Sequence, residues 1–199
     1  MKIYDISQEV FSCAVFPGNP APKRHVIRSM ADGERNNLTA FSMCAHNGTH
    51  VDSPVHFYKD GKAIEAMELD VFVGDCYVAR HDGDVTGSDA RAILKKADGT
   101  PRILIGGEAT VTAEAAEVFA NAGIKLLGNE SQTVGPKSGP MQVHLILLGR
   151  GIALLEGVVL NQVPEGRYFL NAAPLNLAGS DGAPCRAYLI AWDHAASRA

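Results

Sequence analysis

Polar and apolar positions alternate quickly at both ends of the chain and more slowly in its middle. Lys2 to Ile6, His25 to Met30 and Leu38 to Ala45 mix β-branched, aromatic and polar residues in short stretches bounded by Gly, Pro and Asn, which predicts strands through the first quarter. From Ser88 the pattern changes. Ser88 is placed to cap a short helix through Lys96, Asp98-Gly99 is a turn, and Arg102 to Ile105 reads as a short buried strand. Thr112 opens a second helix, with Glu114 and Glu117 near its positive end and Gly123 closing it before the apolar Ile124 to Leu127. Beyond the loop at Gly135-Pro136, Met141 to Leu148 is apolar on nearly every side and is expected to form a buried helix. Ile152 to Leu155, Val158 to Val163, Arg167 to Asn171 and Arg186 to Trp192 are strand-like, punctuated by Pro164, Pro174, Asp181-Gly182 and Pro184. The expected fold class is α/β, one domain over residues 1–199 in which strands frame a central helical segment and outweigh helix.

Composition narrows the function more than the fold. With 199 residues, 46% of them hydrophobic and 20% charged, the chain can bury a full core and is neither disordered nor fibrous. A net charge of -4 gives no basic footprint for nucleic acid or anionic lipid. The sequence also lacks both an apolar run of membrane-spanning length and the apolar core of a signal peptide, so the expected setting is the cytoplasm. Cys13, Cys44, Cys76 and Cys185 are scattered without a C-x-x-C pair and read as reduced thiols; only Cys44, two residues before His46, draws attention. Trp192 is expected to seal the core or an oligomer contact, and His25, His81 and His194 are expected at the surface with no role.

The chemistry is concentrated between Ala45 and Phe57. His46, His50, Asp52 and His56 fall within eleven residues, where seven histidines scattered at random would place about 0.4. Imidazole and carboxylate are ligands for zinc, manganese or iron, and no cysteine is offered at ligand spacing. His50, Asp52 and His56 share parity, so an extended backbone points them to one face and Val51, Val55 and Phe57 to the other. Gly48 permits a turn that brings His46 round to the same point. Pro54 argues against a central strand, which favours a loop wrapped around a metal. Downstream, His144 and Glu156 sit in apolar surroundings, where an imidazole needs a partner and a carboxylate must be paired, protonated or metal-bound; each can be a ligand or a structural hydrogen bonder.

The string His46-x-Gly-Thr-His50-x-Asp52-x-Pro-x-His56-Phe57 resembles the signature of the metal-dependent cyclase family, whose best-known bacterial members are kynurenine formamidases. Asp5-Ile6-Ser7 resembles the family's opening strand, Phe16-Pro17-Gly18-Asn19 its aromatic substrate loop, and Leu154-Leu155-Glu156-Gly157-Val158 its late acidic strand. The resemblance implies a swivelling β/β/α fold, a homodimer or homotetramer, and one or two divalent metal ions, zinc first and manganese second. It implies that His46, His50 and Asp52 bind one ion, that His144 and Glu156 complete a second site with Asp52 and Glu156 touching both, and that His56 donates and accepts the proton. Phe16 would lie against a small aromatic substrate. Where members tend to carry Gly-x-Asp-x-x-Ser, this chain has Gly128-Asn129-Glu130-Ser131-Gln132-Thr133, with its carboxylate one carbon longer. That loop approaches the active site in relatives.

Metal-dependent hydrolysis of an arylformamide-like amide is the leading expectation. Ring opening of an isatin-type lactam or a lactone is the nearest alternative, and a metal-binding module without turnover is the third. Should His56 prove a ligand, Glu130 would be the first candidate acid.

Overall fold

The computed structural model describes residues 1–192. Its strands are β1 (Lys2–Asp5), β2 (Lys23–Arg28), β3 (Leu38–Ser42), β4 (His50–Asp52), β5 (Val73–Arg80), β6 (Gly83–Val85), β7 (Arg102–Gly106), β8 (Ala109–Val111), β9 (Leu126–Asn129), β10 (Ala153–Glu156), β11 (Gly166–Asn171), β12 (Gly182–Pro184) and β13 (Tyr188–Ala191). The helices are α1 (Gly87–Ala97), α2 (Ala113–Asn121) and α3 (Met141–Leu148). Nine strands form one mixed sheet in the order β1-β13-β11-β5-β7-β9-β10-β4-β12, while β2 with β3 and β6 with β8 make two-stranded ribbons. The central neighbours β5, β7, β9 and β10 run parallel, and the outer strands add to them antiparallel.

Parallel neighbours need crossover connections, and the three helices lie on those crossovers. Strand alternation then separates two cores. Tyr77, Ala79, Ile103, Ile105, Leu127 and Leu154 face the helices, meeting Ala90, Ile93, Ala115, Phe119, Val143 and Leu147. Cys76, Val78, Leu104, Leu126 and Leu155 face the other way, into a core shared with Val51 and Ala183 from one end of the sheet and Leu170 and Leu189 from the other. One core reached from both ends requires a curled sheet, and the architecture is the mixed α/β fold expected.

Several local expectations are corrected. Thr86, not Ser88, caps α1: its hydroxyl accepts from Asp89 N while the Asp89 carboxylate accepts from Thr86 N, a reciprocal capping box. Thr112 caps α2 as expected. Helix α3 has the expected limits, but Met141 is exposed and only Val143, His144, Leu147 and Leu148 are buried. Val158 to Val163 is not a strand, because its amides are used irregularly: Val158 N donates to Asn129 O, Val159 N to Ile6 O and Leu160 N to the Glu130 carboxylate. The central strand β5 is not legible in the periodicity, since Gly74 and Asp75 break the apolar pattern at its start. Trp192 is 54% exposed just past β13 and seals no core. His25 is exposed on β2 and His81 half-buried; His194 lies outside the described residues.

Candidate metal centre

Within the dense His/Asp segment His50–Asp52 is a strand, contrary to the loop expected from Pro54, while His46 stands in the turn before it and His56 in the turn after it. Strand β4 lies between β10 and β12 and uses all three of its residues in pairing, while Pro54 starts the tight turn Pro54–His56 immediately after it. The proline is therefore harmless to the sheet, and it is well placed at a first helical position, where its missing N–H has no partner to lose. Val51 enters the core, so His50 and Asp52 point to the helix-bearing face, as parity predicts. His56 reaches the same cavity from the turn rather than from the strand. Register places His50 opposite Glu156 and Asp52 opposite Leu154 on β10, and α3 lowers His144 onto the pair.

Gly48 adopts φ +64° in the turn that brings His46 back toward Asp52. Gly182 has a different reason for lacking a side chain: a Cβ there would come within 2.8 Å of His46 Cε1 and 2.7 Å of Val51 O.

His46, His50, Asp52, His56, His144, Glu156 and Phe16 all line one cavity of about 210 Å³, together with Asn19, Phe57, Gln132, Thr133 and Pro140. His50 donates from Nδ1 to Gly48 O at 3.0 Å, and His144 donates from Nδ1 to Pro140 O at 2.9 Å. Each ring therefore turns Nε2 toward carboxylates. His144 Nε2 is 3.2 Å from Glu156 Oε1 and 3.6 Å from Asp52 Oδ2. His50 Nε2 is 3.4 Å from Asp52 Oδ1 and 3.5 Å from Glu156 Oε2, yet it is buried without a hydrogen-bond partner. An orphaned nitrogen between two carboxylates suits a cation, and the wholly N/O donor set suits zinc, manganese or iron.

Electrostatics agree. Burial opposes charge on His50 and His144, but the Asp52 and Glu156 carboxylates outweigh it and carry both imidazoles up to about 10. Burial likewise pushes Asp52 upward, while His144, His46 and His50 outweigh it and hold the carboxyl well below its usual range. The metal-free cluster thus retains protons at neutral pH that a divalent cation would displace.

Asp181, read from the sequence only as part of a turn, is a missed member of the site. Its Oδ2 lies 2.9 Å from His46 Nε2 and 3.1 Å from His56 Nδ1. Sequence distance hid it, since only the pairing of β12 with β4 brings it there. Glu130 does not line this cavity. Its Oε2 accepts from Gly107 N at 2.6 Å and its Oε1 from Leu160 N at 2.7 Å, so it is no candidate acid. From the same loop Gln132 and Thr133 do reach the cavity. Cys44 is half-buried and is not part of its wall.

Residues 4–136 match the model of the putative cyclase family. The chain belongs to this family. Among its relatives, the kynurenine formamidase of Erythrobacter litoralis is 34% identical over 202 residues, covering 94% of this chain and 93% of that protein. The kynurenine formamidase of Salinibacter ruber is 34% identical over 210 residues, covering 95% and 97%. A solved structure of a potential metal-dependent hydrolase with cyclase activity superposes with a TM-score of 0.80 at 27% identity, covering 94% of this chain and 96% of that one. Isatin hydrolase A from Labrenzia aggregata shares the cyclase fold, with a TM-score of 0.82 at 21% identity and 94% and 93% coverage.

Proposed function

We propose that this protein is a metal-dependent hydrolase that cleaves the amide of a small aromatic N-acyl amine of the arylformamide kind. The observation that carries the metal is His50 Nε2, buried and unpartnered between Asp52 and Glu156. The substrate class rests on Phe16 and Phe57 in the wall of the same cavity and on the activity named for the formamidase relatives. His46, His50 and Asp52 would hold one ion and Asp52, His144 and Glu156 a second, with zinc preferred over manganese. A divalent ion in that position supplies Lewis-acid polarisation of a carbonyl and makes water a competent nucleophile at neutral pH.

The chain's own groups supply the rest. Phe16 and Phe57 offer aromatic surface to an aryl ring, with Phe57 also tilted against His144 at 5.1 Å between centroids. His56, on the rim of the cavity and 27% exposed, takes a proton at Nε2 and returns it to the departing nitrogen, so that an arylamine leaves neutral. The ring can do this because its Nδ1 is engaged by Asp181. Residues 1–199 are read as one domain of a cytoplasmic homo-oligomer, dimer or tetramer. The β2–β3 ribbon supports an assembly: all its residues are exposed, among them Val26, Ile27 and Phe41, and a lone two-stranded ribbon is marginally stable.

The test is metal analysis of the purified protein beside turnover of N-formylkynurenine and simple N-formyl arylamines, with isatin and a lactone for contrast. Near-stoichiometric zinc or manganese with chelator-sensitive hydrolysis of the formamides is the expected result. Protein that binds no divalent ion on titration, or hydrolyses only the ring substrates, would overturn the assignment.

A further inference from the structure

We infer that Asp181 is a positioning residue that sets the tautomers of His46 and His56 in opposite senses, making one a ligand and the other a proton acceptor. The inference rests on the hydrolase reading for its catalytic half and on geometry alone for its tautomeric half. One oxygen, Asp181 Oδ2, meets His46 Nε2 at 2.9 Å and His56 Nδ1 at 3.1 Å. A carboxylate oxygen can only accept, so both nitrogens must carry hydrogen. His46 then has Nδ1 left over, and His56 has Nε2 left over. Neither assignment follows from the histidines themselves, because the two rings lie 4.2 Å apart between centroids in the same half-buried corner.

The consequences differ at the two rings. His46 Nδ1 lies 2.8 Å from Asp52 Oδ1, which brings a nitrogen lone pair against a carboxylate oxygen. Two acceptors at that distance need a positive charge between them, a proton or a metal ion, so Asp181 turns His46 into a poised ligand. Among the described residues no carboxylate lies within ion-pair distance of the other nitrogen of His56, which leaves Nε2 with a lone pair beside the cavity and able to take a proton from a reacting group. Both rings are neighbours through one atom, and both depend on where that atom sits.

The main chain that carries Asp181 is held on both sides. Asp181 O accepts from Ser53 N at 3.0 Å and from Ser53 Oγ at 3.0 Å, joining it to the residue before the turn that carries His56. The following Gly182 pairs with Asp52 across β12 and β4. The carboxylate is thus referenced to the ligand strand and to the His56 turn at once, although its side chain is 48% exposed. Carboxylates that hold the remote nitrogen of a ligating histidine typically contribute 10- to 100-fold to metal affinity.

The experiment compares wild type with Asp181→Asn and Asp181→Glu, first metal-free and then loaded with zinc. Long-range ¹H–¹⁵N spectra of metal-free protein, assigned with His46→Asn and His56→Asn, report the tautomers directly. Metal-free wild type should show His56 protonated at Nδ1 and His46 protonated at both nitrogens, and zinc should displace the proton facing Asp52 and leave His46 protonated at Nε2 alone. Asp181→Asn preserves shape and the main-chain bonds to Ser53, but its amide can donate as well as accept. It should mix the tautomers at both rings, weaken zinc about 10- to 100-fold and, at saturating zinc, lower kcat by at least about 100-fold with little change in KM. Asp181→Glu should recover part of each loss. Unchanged tautomers in Asp181→Asn would overturn the inference, and so would complete loss of zinc with unchanged tautomers, which would make Asp181 a ligand. Failure of wild type to cleave any amide would overturn the hydrolase reading instead, because the tautomer and zinc measurements need no substrate.

Discussion

Two glutamates at corresponding ends of adjacent parallel strands have opposite fates. Glu130 follows β9 and Glu156 ends β10. Glu130 has both oxygens occupied by main-chain amides, from Gly107 and Leu160, and faces away from the cavity. Glu156 accepts one amide, Val134 N at 2.8 Å, and turns its remaining capacity toward His144 and His50. A carboxylate spent on amides holds loops together; one with capacity left beside imidazoles can hold a cation. Residue type is shared but register is not: Leu155 pairs with Gly128, so Glu156 is level with Asn129 and Glu130 stands one residue further on, where strand alternation reverses the side-chain direction and gives it different surroundings.

The sharpest way to break that contrast is to remove the ligand side. Glu156→Gln and His50→Asn should lose most bound metal and reduce hydrolysis to near background, while folded protein is still obtained, as measured by metal analysis and circular dichroism. Full metal content in Glu156→Gln would place it with Glu130 as a structural residue. His56→Asn should behave differently from both, keeping its metal while kcat falls about 10²- to 10⁴-fold. Parallel loss of metal and activity would make His56 a ligand.

Metal affinity should also depend on pH with a definite sign. His50 and His144 are raised from 6.5 to about 10 in the metal-free fold, so the stability they contribute is complete below pH 6.5 and lost as pH rises toward 10. A metal must displace those protons. Zinc affinity should therefore rise with pH across this range, by about 100-fold per unit if two protons leave with each ion bound, and calorimetry in buffers of different ionisation enthalpy counts them. An affinity independent of pH would mean the ligands lie elsewhere.

Smaller effects sharpen the picture at its edges. Phe16→Ala should raise KM for an aryl formamide about 10-fold and leave kcat within a few-fold, since it removes ring contact and no reacting group. Glu130→Ala should leave metal content and kcat nearly unchanged but cost about 1–3 kcal/mol in urea unfolding, because two amides lose their acceptor. Loss of metal in that variant would erase the distinction between the two glutamates.

Periodicity located all three helices, because an amphipathic face or an unbroken apolar run is a local property. It missed β5, the centre of the sheet, because Gly74 and Asp75 are tolerated there through pairing with β11 and the approach of Arg102. It turned Val158 to Val163 into a strand because apolar residues report burial, not hydrogen-bond partners. The metal cluster was legible for a different reason: His46, His50, Asp52 and His56 are improbable together by chance, and parity alone put His50 and Asp52 on one face. Glu156 and His144 were marked by the cost of burying them in apolar surroundings.

What the sequence could not determine was the partner of each group. Glu130 and Asp181 are ordinary residues of loop and turn when read along the chain, one expected near the chemistry and the other given no part in it. The curled sheet reversed those places by bringing β12 alongside β4 and sending Glu130 to the amides of Gly107 and Leu160. Ligand types and their density are properties of composition and short spacing, fixed before folding. Which lone pair remains free is a property of contacts more than a hundred residues apart, such as His46 with Asp181, and only the tertiary structure forms them.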